Sequence, residues 1–571
     1  MTRRGDLAIV LDALVAAEPE AAIAHCRAMR TDLDDTTDGY VLALESFACF
    51  MAARFDEAAE SAEAALRHCA PDDAVLRSTA RAARALAHAG RPFEQGLAAG
   101  WSGTAPAVSA SGDPLLDAVA DLPELEAAAH GVDADLVLFA RYLVAEAAIA
   151  SARLLLAESA LAAAPPDLTR FLVRDEVAHP FGLVLGILRV RVLTFRGRVA
   201  EAIEAIAQLP ASTGVLLVQL RSATEILVRG NAAERAQVRA LADSLVAESP
   251  VPRDYLTRGC FVLAAFGLVA LGDVRASARF ALAAGGDLAV SRLTTVDRAL
   301  CLELLVAAAA DEGDPDAAEA WSALARPLID DPIAASTVYR IFARTALLAG
   351  EPDAALAAAE RALELASAEG RAVEAAEAEV LAARARREAQ QVDSGSARLI
   401  ALAAASEITG HRAARNAAVR ELRASGRRLP PVAGAGWSGL SAREREVAVM
   451  MADGLRNTEI AAALHLSEHT VRGHVSRVLA AFGAATRFVV AARMAELFPG
   501  DVAVPVAPLT PQLSAVAVRV AAGLGNAEIG RELGLGTKTV EKYVAEIQRR
   551  WGAGSRVAIA RLVRSIPGPG E

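Results

Sequence analysis

From about residue 6 to residue 425 the apolar positions recur in short blocks at helical spacing, with few β-branched runs. The blocks come in pairs that share a joint. "LTFRGRVAEAIEAI" turns at Gly197, "LVALGDVRASARFAL" at Gly272, "AAADEGDPDAAEAWSAL" at Gly313 and "ALLAGEPDAALAAAERAL" at Gly350. "FMAARFDEAAESAEAAL" carries the same pattern around Phe55, Ala58 and Ala59. In each, an apolar helix meets a small stop, then charge, then alanine-rich amphipathic sequence. Glycine supplies the left-handed residue that ends the first helix. Alanines let the second helix lie close against it. Steps of 41 and 37 residues separate Gly272, Gly313 and Gly350. The pattern predicts an all-α array of helix pairs, with Gly/Pro/Ser joints at residues 100–114 and 162–168.

The period is near the ~34 residues of tetratricopeptide repeats. Residues 35–395 resemble degenerate repeats of that kind, in spacing and small residues rather than in signature aromatics. The resemblance implies an α-solenoid over residues 1–425 whose concave face senses a small-molecule or protein effector. A plain helical spacer is the alternative. "ASGRRLPPVAGAGWSG" (424–439) is rich in proline and glycine, and predicts a flexible linker over 426–439.

Beyond the linker the pattern shortens. "LSAREREVAVMMADGLRNTEIAAALHLSEHTVRGHVSRVLAAFGAATR" predicts three short helices and the start of a fourth. Ser441 and Glu444 read as a capping box. Val447, Val449, Met450 and Met451 form the first apolar face, and Gly454 ends that helix. Asn457 reads as the cap of the second helix and Ser467 as the cap of the third. Val471, Val475, Val478 and Phe482 make a buried stripe. The fourth helix opens at Thr486. A helix, a tight turn and a helix with a polar outer face is the helix-turn-helix arrangement.

The segment from Leu440 to Arg487 resembles the LuxR-type, or GerE-like, DNA-binding domain. The matching elements are L-S-x-R-E-x-E-V, the glycine before N-x-E-I-A, L-x-L-S, T-V-x-x-H-V and the G-x-x-x-R end. The resemblance implies that Arg472, Gly473, Ser476 and Arg477 face the major groove of double-stranded DNA. Arg472 is the best candidate base reader, because a guanidinium can hold guanine O6 and N7 together. Thr470 and His474 are placed to reach phosphates, and Glu444 to hold helices together inside the fold. Thr458, Ala480 and Ala481 stand where the family favours cations, which implies fewer phosphate contacts. Family members bind DNA as dimers joined through the fourth helix, so a homodimer is implied as well.

A second copy follows. Shifted by 69 residues, Leu509–Arg556 overlays Leu440–Arg487 without a gap, with 18 of 48 positions identical. The two modules span 440–497 and 509–566, joined by residues 498–508. Caps, turns and core are retained, but the outer face changes. Glu541 and Lys542 replace Arg472 and Gly473, Ala545 and Glu546 replace Ser476 and Arg477, and Tyr543 replaces His474. Lys538, Lys542, Tyr543, Arg549 and Arg550 are its candidate DNA-binding residues. Dimerisation or masking is the alternative role for this copy. The fold class expected for the whole chain is all-α: tetratricopeptide-like pairs, then two small helix-turn-helix domains.

Charge sharpens the division. From Trp437 onward 16 lysines and arginines face 12 acids, net +4, so the rest of the chain carries −15 of the total −11. An acidic body with a basic tail points to a polyanion at the tail alone. Only Lys538 and Lys542 are lysines. No G-x-x-x-x-G-K-[ST] loop exists, which excludes a P-loop nucleotide site, and no lysine before residue 538 is available for a Schiff base. The five cysteines include no C-x-x-C spacing. They read as free thiols in a reducing cytoplasm. The pairs His25-Cys26 and His68-Cys69 lack metal-ligand spacing. No signal peptide or membrane span is expected, and neither cofactor nor catalytic triad. A protein-interaction scaffold is the rival to a DNA-binding regulator.

Overall fold

A computed structural model describes residues 2–16, 18–30, 35–70, 72–90, 114–123, 134–162, 180–211, 215–248, 251–427, 437, 440, 442–484, 486–497, 507–522, 524–553, 559 and 562–563. Among these residues the regular elements are helices, without a strand, so the fold is all-α. No helix among them is long and apolar enough to cross a membrane. The chain divides into two compact units, Met1–Arg428 and Leu429–Glu571. The expected joints at 100–114 and 162–168, and most of the linkers 426–439 and 498–508, lie outside the described residues.

The first unit is built from helix pairs. Pro180–Phe195 precedes Val199–Gln208, Val215–Asn231 precedes Arg235–Glu248, and Tyr255–Ala270 precedes Val274–Gly285. Thr295–Glu312, Ala335–Ala349 and Ala372–Glu388 each begin a further pair. The joints share one geometry. At Gly197, with φ 73°, the N–H of Arg198 donates to Leu193 O (2.8 Å) and that of Gly197 to Thr194 O (2.8 Å). These two bonds are a Schellman cap. The same closure occurs at Gly272, Gly313 and Gly350. It also occurs where no glycine marks it: Ala53, Ala152, Ala233 and Gln390 adopt φ of 60°, 56°, 62° and 62°. A side chain in that conformation costs roughly 1 kcal/mol, so the cap bonds and the packing of each pair impose it.

First helices of successive pairs pack on one another. Val215–Asn231 and Tyr255–Ala270 approach so closely that a Cβ on Gly230 would meet Gly267 O at 2.2 Å. A Cβ on Gly267 would meet Ile226 O at 2.3 Å. Backbone cannot yield as a flexible side chain can, so the two glycines set the distance between these helices.

The unit also brings together segments far apart in sequence. Arg196 donates to Gly370 O (3.1 Å) across 174 residues. His411 Nε2 donates to Asn231 Oδ1 (2.9 Å) across 180, both side chains being buried. Asn231 Nδ2 is engaged with Leu227 O, which fixes the amide's orientation. Charge is buried too, but paired. The Arg340 guanidinium donates to both oxygens of Glu303 (2.9 and 2.6 Å) and to Glu374 (2.5 Å). Arg371 completes the cluster by donating to both oxygens of Glu374. A buried guanidinium is tolerable only with such partners.

Two outcomes follow from this packing. Gly267→Ala should destabilise the first unit by about 1–3 kcal/mol through overpacking. Gly259→Ala on the same helix, where a Cβ meets nothing within 4 Å, should stabilise it by about 0.5–1 kcal/mol. Denaturant midpoints monitored by circular dichroism compare the pair. Burial pushes the His411 imidazole down to about 4. The unfolded chain then binds a proton that the folded ring refuses. Relative to His411→Gln, the wild type should lose stability as pH falls from about 6.5 to about 4, approaching about 3 kcal/mol.

Candidate nucleic-acid interface

In the second unit the first module comprises Ala442–Ala452, Asn457–Leu464, Glu468–Ala481 and Arg487–Leu497. Val447, Met451, Ile460, Val471, Val478, Phe482, Val490 and Met494 form one small core. Val475 is only half-buried and packs against it, and Val449 is exposed rather than part of the apolar face. Ser441 lies outside the described residues. Asn457 is not the cap of the second helix. Arg456 holds that position, and Glu459 accepts from its N–H (2.6 Å). Asn457 has another task. Arg487 donates to its Oδ1 (2.8 Å) and to Leu455 O (2.9 Å), tying the fourth helix to the loop before the second. That bond gives the arginine at the end of the motif its physical role.

The turn between second and third helices is held by His465, left-handed at φ 52°, and by Leu466 N–H donating to Ala461 O (2.9 Å). Ser467 caps the third helix, accepting from Thr470 N–H (3.1 Å). Thr470, Arg472 and Ser476 are exposed on that helix, and Gly473 is half-buried. Arg472 has no ion-pair partner among the described residues. Its neighbour Ser476 is small, so the guanidinium stands clear.

Arg477 and His474 are placed differently from the expectation that both face outward. Arg477 Nε donates to Glu444 Oε1 (2.5 Å), and its NH2 reaches His474 Nδ1 (2.7 Å). Arginine offers donors only, so Nδ1 must accept and the ring proton sits on Nε2. Glu444 links the first helix to the third. The fit of the module thus draws one expected base-facing cation inward. Sequence reasoning passed over His469, which is exposed one residue before Thr470. The 69-residue overlay would have found it, because it pairs His469 with Lys538.

The second module repeats the frame with Pro511–Ala521, Asn526–Leu533 and Thr537–Trp551. Leu513, Val516, Val520, Ile529, Val540, Val544 and Ile547 form its core. Gly534, at φ 66°, holds the turn where the first copy has His465. Its N-cap residue is Gly525 rather than Asn526, and Glu528 accepts from the Gly525 N–H (2.7 Å). The polar tie of the first copy is replaced as a set. Leu513, buried, stands where Glu444 does. Tyr543 is half-buried, its hydroxyl donating to Gln512 Oε1 (3.4 Å). Glu546, in the place of Arg477, pairs with Arg549 and with Arg550 (2.8 Å). Its charge is therefore neutralised within its own helix. Lys538, Lys542 and Glu541 remain exposed.

Fold and site together define a tandem helix-turn-helix protein, a class built to place a helix in a DNA groove. The family described as bacterial regulatory proteins, LuxR family, matches at residues 438–495 and 507–563. Both modules are covered and the helical body is not. No curated protein matches the chain. At the level the matches support, the tail is that of a DNA-binding transcription regulator.

Glu444→Ala should leave Arg477 without its carboxylate. Because Arg477 is partly solvent-screened, the loss should be only about 1 kcal/mol. Amide exchange of the intact chain should quicken in Ala442–Ala452 and Glu468–Ala481 and stay unchanged in Thr537–Trp551.

Proposed function

We propose that this chain is a sequence-specific DNA-binding transcriptional regulator. Its helix Glu468–Ala481 enters the major groove, and Arg472 reads a base. The observation that supports this most directly is the exposed, unpaired Arg472 on a Ser467-capped helix of a LuxR-type module. Arg477 and His474 keep that helix at a fixed angle through Glu444, and the exposed Thr470 reaches a phosphate. The second module contacts an adjoining half-site through Lys538 and Lys542, with Arg549 and Arg550 near the backbone and Tyr543 positioning the helix. Two unequal modules on one chain raise each other's effective concentration, which offsets sparse contacts in each. The helical body, in a tetratricopeptide-like arrangement, senses a small-molecule or protein effector and controls the modules. The protein works in the bacterial cytoplasm, and its fourth helices join two copies as a homodimer.

The intact chain should select a bipartite DNA site from random duplexes and protect it in footprinting. Arg472→Ala should weaken binding by about 1–3 kcal/mol and relax specificity in one half. Lys542→Ala should act on the other half. A chain that shifts no duplex at low ionic strength rules the reading out.

A further inference from the structure

Two adjoining, partly open chambers lie in the helical body. The larger, about 350 Å³, is lined by Arg253, Arg258 and Arg292 with Ser291 and Thr294. The smaller, about 110 Å³, is lined largely by apolar side chains, among them Phe195, Leu220, Phe266 and Leu300. Tyr255, Gly259, Thr294 and Asp297 line both, so the chambers meet there.

The charge in the larger chamber is arranged differently from that at Arg340 and Arg371, buried arginines that sit on glutamates. Arg258 is 8% exposed, yet it donates to two neutral carbonyls, Ala284 O (2.5 Å) and Arg253 O (3.5 Å). Among the described residues no carboxylate lies within ion-pair distance of Arg253, Arg258 or Arg292. The nearest acids are occupied. Asp254 accepts from Thr257 N–H (2.9 Å), and Asp287 accepts from Ser291 N–H (3.0 Å). Burial, and after it the like charge of Arg292, lower the Arg258 pKa by more than the charges of Asp254 and Asp287 raise it, so the guanidinium is only partly compensated. A buried cation with no ion-pair partner is costly, and an incoming anion would reduce that cost with charge-assisted hydrogen bonds.

The junction has different chemistry. Tyr255 donates to Glu146 Oε1 (3.2 Å), and Thr294 Oγ1 donates to Asp297 (3.0 Å). Burial raises both carboxyls, Asp297 to about 6. Beyond them the smaller chamber is mostly apolar, with Arg191, Arg371 and Glu374 also on its wall.

We propose that the two chambers form one binding site for an amphipathic organic anion. Its carboxylate or phosphate sits on Arg258 and Arg292, and its apolar portion passes Gly259 toward Phe195 and Phe266. The site deepens the reading of the body as a sensor, and its regulatory meaning rests on that reading.

Calorimetry on the intact chain with octanoate, octyl phosphate, octanol and octylamine tests it. At least one of the two anions should bind at least ten-fold more tightly than the alcohol or the amine, and their ranking separates carboxylate from phosphate. The double variant Arg258→Gln, Arg292→Gln should lose that binding. Gly259→Trp should fill the junction and block the anions with unchanged circular dichroism, since its Cβ has open space. If the double variant fails to fold, Arg292→Gln, at an exposed position, and Gly259→Trp decide the matter. Equal binding of octanol, no binding of either anion, or full affinity in these variants overturns the site. Gel shifts with and without the bound anion separate the two claims. Binding that leaves DNA affinity unchanged supports the site and overturns the sensor reading.

Discussion

A helix that stops on one left-handed residue, closed by an N–H reaching back five residues, is the constraint on which this protein is built. In the body it reverses the chain at Ala53, Gly197, Ala233, Gly272, Gly313, Gly350 and Gln390. In the modules the same closure, at His465 and at Gly534, sets the angle between the second and third helices. The bond is short-range and satisfies carbonyls that would otherwise be orphaned. Everything longer in range is arranged around it.

The two modules show how a fold is kept while a surface is rewritten. Their cores align position by position, from Val447 with Val516 to Val478 with Ile547. A change at one member of the Glu444–His474–Arg477 tie leaves a partly screened charge without its partner, at a cost of about 1 kcal/mol. In the second module Leu513, Tyr543 and Glu546 stand at those places, and Glu546 pairs with Arg549 and Arg550. Divergence is thus concentrated on groups that face outward or that couple to such groups.

The body follows the opposite economy of charge. Arg340, Glu303, Glu374 and Arg371 are buried together and satisfy one another. Such clusters specify which helices meet, because an off-register neighbour would leave a guanidinium unpaired. Arg258 is buried without a carboxylate at ion-pair distance, in a chamber it shares with the exposed Arg253 and Arg292.

The sequence by itself determined the elements. Helical periodicity, the glycine joints, the Ser467 cap and the 69-residue internal repeat all act within one or two turns of chain, where local chemistry decides. It also marked Arg472, because its neighbours in the motif mark a helix-turn-helix. Only the tertiary structure decided what lies across space. The joints at Ala53, Ala152, Ala233 and Gln390 carry no glycine, since packing imposes their conformation. Arg477 turns to Glu444, a residue 33 positions away, and Asn457 serves Arg487 rather than its own helix. Asn231 meets His411, and Arg258 is left without a carboxylate, because distant helices close around them. Periodicity reports which face of a helix is apolar, but not which helix will cover it.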